Sequence, residues 1–97
     1  MEKEAIFELY LRTHWLIIAD LQREIAKSEK NTSDKSFLED QIGNCVKILR
    51  SQIQSYQDQY EVVMREQNVA LANRFLDNVR RTRSGNPEFA FLFSDKK

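Results

Sequence analysis

Glycine occurs twice, proline once and cysteine once in 97 residues. β-Sandwiches and barrels turn often and need Gly, Pro and Asn to do so, and such sparse punctuation excludes an all-β design. A single cysteine, Cys45, excludes an internal disulfide framework and fits a reducing compartment. Neither charge dominates, with 15 Lys and Arg against 15 Asp and Glu. The basic excess of a dedicated nucleic-acid binder and the acidic excess of a solvating tail are both missing. Long apolar runs are missing too. The richest, residues 15–18, lies between Arg12 and Asp20, and no membrane-spanning helix is expected. The opening Met1-Glu2-Lys3-Glu4 lacks the basic start of a secretory leader. The expected location is intracellular, cytoplasmic or nuclear.

Catalytic equipment is equally scarce. His14 is the only histidine, and its neighbours on a helical face are Tyr10, Leu11, Ile17 and Ile18, which offer no carboxylate. His14 is therefore expected as a packed or surface residue. Cys45 falls on an apolar seam and is expected as a small buried hydrophobe. Zinc asks for about four Cys or His ligands, more than His14 and Cys45 supply. A Glu-x-x-His pair, a glycine-rich phosphate loop and a Gly-x-Ser-x-Gly elbow are all absent. No enzyme activity, metal or cofactor is expected.

What the chain does contain is helical periodicity. Over residues 3–28 the apolar positions Ile6, Leu9, Tyr10, Ile17, Leu21 and Ile25, with Trp15 and Ile18 beside them, recur mostly at spacings of three and four. Glu8 and Arg12 stand at a favourable i,i+4 separation. Residues 29–34 hold no apolar side chain and are expected as a turn, with a capping-box pattern at Ser36 and Glu39. A second seam follows: Leu38, Ile42, Cys45, Leu49, Ile53, Tyr56, Tyr60 and Val63. Gly43 inside it suggests close approach of a neighbouring helix. The seam weakens at Gln67 and Asn68 and resumes at Leu71, Phe75, Leu76 and Val79. At the end of this stretch, Ser84-Gly85-Asn86-Pro87 places Gly at a left-handed C-cap and Pro just beyond it.

The expected fold is all-α, an antiparallel helical hairpin over 1–84 whose second helix is long, followed by an extended aromatic tail over 85–97. A helix over 33–83 measures about 75 Å against roughly 40 Å for the first. Half of the long helix would then stay bare. Either a second chain covers the overhang, or the helix breaks at 67–68 and closes a three-helix bundle with Asn68 as a new cap. In the tail, Phe89, Phe91 and Phe93 alternate in a strand-like way. The tail either folds back onto the helices or docks into a partner.

These features predict a non-enzymatic protein–protein interaction module: an adaptor, an assembly subunit or a small chaperone, as a homodimer or hetero-oligomer. Its expected partner-binding residues are Leu71, Phe75, Leu76, Val79, Phe89, Phe91 and Phe93, since aromatic anchors dominate interface energies. Two alternatives stand beside it. A helical nucleic-acid-associated protein would use Arg74, Arg80, Arg81 and Arg83, although zero net charge makes strong phosphate affinity unexpected. An inhibitor or immunity-type protein would block a single enzyme.

Overall fold

The computed structural model describes residues 2–30 and 36–93. Every regular element among them is helical, so the chain is all-α. Helix α1 spans Glu2–Lys30 and α2 spans Ser36–Glu66, about 43 and 46 Å long at 1.5 Å per residue. Helix α3 spans Val69–Thr82, and a 3-10 helix follows at Pro87–Leu92. No helix is long and apolar enough to cross a membrane among the described residues. Of the expected turn at 29–34, Glu29 and Lys30 are instead the last residues of α1 and the rest lies outside the described residues, while Ser36 and Glu39 stand in the first turn of α2.

Helix α1 is the central element, because α2 and α3 both pack on it while barely touching each other. Its sequence explains this. Tyr10, Thr13, His14, Ile17, Ile18 and Leu21 are all buried, which widens the inward face beyond a single stripe. A face this broad has room for two neighbours. Helix α2 contributes Leu49 and Val63, with Val46, Ile53, Tyr56, Tyr60 and Met64 half-buried. Helix α3 contributes Ala72, Phe75, Leu76 and Val79.

The chain reverses between Glu66 and Val69. Gln67 adopts φ 55°, the one positive φ of a non-glycine residue among those described. The Asn68 amide donates to the Val63 carbonyl at 3.1 Å, the long-range bond of a Schellman C-cap. Gln67 Nε2 donates to the Met64 carbonyl at 3.0 Å. Asn68 then serves as N-cap of α3, its Oδ1 accepting from the Leu71 amide at 3.1 Å. A second helix running unbroken to residue 83 is therefore not what forms. The overhang moves to the opposite end. Arg83, closing α3, reaches Glu24, so residues 25–30 of α1 and the facing start of α2 extend beyond it. Ile48 stands 59% exposed there.

Several local expectations are corrected. A Cβ at Gly43 would meet nothing within 4 Å, so no close helix approach among the described residues explains that glycine. Gly85 has no positive φ. Helix α3 instead closes at Arg83, whose amide donates to the Val79 carbonyl at 2.8 Å. Cys45 is exposed rather than buried, with Sγ 3.7 Å from Ser28 Oγ. The extended aromatic run is absent over Pro87–Leu92, where Asn86 caps a 3-10 helix by accepting from the Glu88 amide at 3.0 Å. A repeat of three residues per turn brings Phe89 and Leu92 to one side, and both are buried.

Candidate interaction surface

The residues expected to await a partner mostly lie inside the chain's own core. Phe75, Leu76 and Val79 are buried and Leu71 is half-buried. The Phe75 ring meets Tyr10 edge-on at 4.7 Å between centroids and Tyr56 edge-on at 5.4 Å. Phe89 is buried, Phe91 is half-buried under the Arg12 guanidinium at 4.1 Å, and Phe93 stays partly exposed. Only Leu71, Phe91 and Phe93 of the seven therefore offer surface in this conformation. Arg12 thus sits on an aromatic face, a cation–π arrangement.

The arginine cluster is drawn inward to a similar degree. Arg80 Nε donates to the Leu92 carbonyl at 2.7 Å and anchors the 3-10 helix, while its Nη1 lies 3.5 Å from Asp77. Arg83 is only 20% exposed in its side chain, with Nη1 2.7 Å from Glu24 and Nε 3.2 Å from Asp20. Asn86 donates to Asp20 at 3.2 Å, and Arg23 joins Asp20 to Glu88. These groups clasp the C-terminal segment to α1. Arg81 donates to Asn78 at 2.9 Å. Arg74 and Arg81 remain exposed.

Among the described residues, no group of three His, Cys, Asp or Glu side chains comes together in a metal-holding arrangement. His14 stacks on Tyr60 at 4.2 Å with its ring 20° from parallel. Burial pushes its pKa below the ordinary 6.5, because an apolar site disfavours the imidazolium. Burial also raises Tyr10, with Tyr60 adding to the effect. Tyr56 is raised by burial as well, partly offset by Arg83. A polar cleft of about 440 Å³ between α2 and α3 is lined by Gln52, Ser55, Gln59, Asn78 and Thr82. Glu24 and Arg83 close one end of it, and Leu49 and Tyr56 add apolar surface.

Apart from Ile48 on α2 and Phe93, the large apolar side chains left open among the described residues are on α1. Trp15 is 58% exposed and Leu11 36%. One turn apart, they lie on one face of the helix. Phe7, the next residue of the row towards the N-terminus, is itself buried. On α2, Tyr60 sits 6.3 Å from the Trp15 ring. Phe7, Leu11 and Met64 line a groove of about 390 Å³ edged by Glu4, Glu8 and Gln67. Leu11 lines this groove and stands one turn from Trp15.

Sequence reasoning placed Trp15 beside the core and missed it as surface. The signal was its phase. Trp15 lies two residues before Ile17, about 200° away around the helix, so burying Ile17 completely turns Trp15 outward. No family model matches the chain, and no match is found among curated proteins or solved structures.

Proposed function

We propose that the chain is a non-enzymatic protein–protein interaction module, an adaptor or assembly subunit, built as a closed three-helix unit. Its contact surface is the strip formed by Leu11 and Trp15 with the Phe7–Met64 groove. The observation that carries this reading is the exposure of Trp15. A tryptophan more than half open beside an apolar groove loses hydration favourably when a partner covers it, and tryptophan is the residue type most enriched among interface hot spots. Buried neighbours support the ring on one side, since it meets His14 edge-on at 5.2 Å. The anchor is thus held in place before a partner arrives, which lowers the ordering cost of binding.

The test places a photo-reactive phenylalanine analogue at position 15, and as a control at the exposed position 74, in the native host. A discrete protein adduct at 15, absent at 74 and lost on adding Leu11→Glu, is the expected result. Equal adducts at both positions, or none at 15, would refute the assignment.

A further inference from the structure

We infer that the chain exchanges its C-terminal helix with a second copy of itself by straightening at Gln67 and Asn68. Three observations point the same way. First, the reversal is held by hydrogen bonds of Gln67 and Asn68 rather than by glycine or proline. Gln67 holds the left-handed φ of 55° where glycine is usual, and that conformation is strained for a residue with a Cβ. Neither Gly nor Pro stands at 66–69, and glutamine continues a helix well. Second, α3 takes most of its packing from α1 and little from the α2 it is joined to, the Phe75–Tyr56 ring contact apart. The interface is therefore preserved when α3 lies on the α1 of another copy. Third, the clasp follows α3 as one body. Arg80 holds the 3-10 helix to α3, while Arg83, Asn86 and Glu88 meet Asp20, Glu24 and Arg23 of α1. All of these contacts reform between copies.

Straightening replaces α2 and α3 by one helix over 36–82, about 70 Å long. Because α3 runs back along α2 in the closed form, two such helices lie antiparallel about a two-fold axis. Each α1 then receives the partner copy's α3. The exchange relieves the strained φ in both copies and loses the Asn68 cap. Short strained hinges favour this kind of swapping. Leu11 and Trp15 keep their place on α1 in the exchange, while the adjoining groove changes at its Gln67 edge; mass and cross-link topology test the exchange without reference to that surface.

The experiment uses the full chain in a Cys45→Ser background, unfolded and refolded at high concentration, with mass measured by light scattering on a sizing column. The expected result is a mixture of the 11.5 kDa monomer and its dimer. Asn68→Ala removes the closed-form cap, about a fivefold effect per hinge, and two hinges per dimer tighten association roughly 30-fold. Gln67→Gly relaxes the closed form and shifts the mixture towards monomer by a similar factor. Arg23→Cys with Glu88→Cys, joined by a short bismaleimide, identifies the topology. In an exchanged dimer the link joins two chains. The inference is overturned if both the parent and Asn68→Ala stay at 11.5 kDa, or if the 23–88 link in the dimer stays within one chain.

Discussion

Replacing Phe75 by alanine separates a core helix from an open seam. Phe75 is 1% exposed and touches Tyr10 and Tyr56 with edge-on rings. Truncating a buried phenylalanine costs about 3–5 kcal/mol, since transfer free energy is lost and the neighbouring rings close only part of the cavity. Two aromatic pairs vanish with it, which places the value in the upper half of that range, about 4–5 kcal/mol. A domain of this length holds roughly 5–15 kcal/mol in all, so the variant is expected to lose about a quarter or more of its stability. The melting temperature should fall by about 15 °C or more. Urea unfolding followed by far-ultraviolet circular dichroism measures it, with an unchanged m-value showing that only stability moved. If Phe75 were instead a free contact residue awaiting a partner, the isolated chain would change by less than about 0.5 kcal/mol. That result would refute the packing of α3 on α1.

Other outcomes follow from the same structure. Ending the chain at Asn86 removes the buried Phe89 and Leu92, and the loss of two such side chains should cost about 3–6 kcal/mol in the same unfolding assay. A truncated chain as stable as the parent would show that the 3-10 helix contributes no packing. Arg83→Met removes the nearer of the two arginines beside the Asp20 carboxylate, 10% exposed, and leaves it only Arg23 at 3.4 Å. It should cost about 1–3 kcal/mol, with part of the loss recovered by adding Asp20→Asn. For His14, the folded pKa lies below the unfolded 6.5. The unfolded chain therefore takes up the proton first, and stability present above that value declines as pH falls through it towards the folded pKa. Between about pH 7 and pH 5, His14→Phe should flatten that decline while keeping the stack on Tyr60. An equal decline in both proteins would show that His14 is not its source.

Helix α1 was readable from sequence because its apolar residues keep one period over its whole length. The reversal at 66–69 was readable only as a weakness. Gln67 and Asn68 interrupt the seam, but a left-handed glutamine carries no mark that distinguishes it from a helical one. The cap at Asn68 was visible as an option, since asparagine suits that position. The 3-10 helix was hidden by composition. Alternating phenylalanines resemble a strand, while the pair that is buried, Phe89 and Leu92, is spaced three apart. The clasp from Arg83 to Glu24 spans 59 residues, and the stack of His14 on Tyr60 joins two helices. Neither leaves a local trace. Arg80 and Arg83 looked like a basic surface because sequence gives their charge but not their direction. Trp15 was assigned to the wrong side because apolar character outweighed phase.

Trp15 is the only tryptophan in the chain, so fluorescence excited beyond the tyrosine absorption band reports on the proposed contact surface. In the free, purified chain its emission should be red-shifted, and acrylamide should quench it almost as readily as free tryptophan. The same values should hold for Gln67→Gly, which disfavours the exchange. A blue-shifted emission shielded from acrylamide in both proteins would mean that Trp15 is already covered, and that the strip on α1 is not open to a partner.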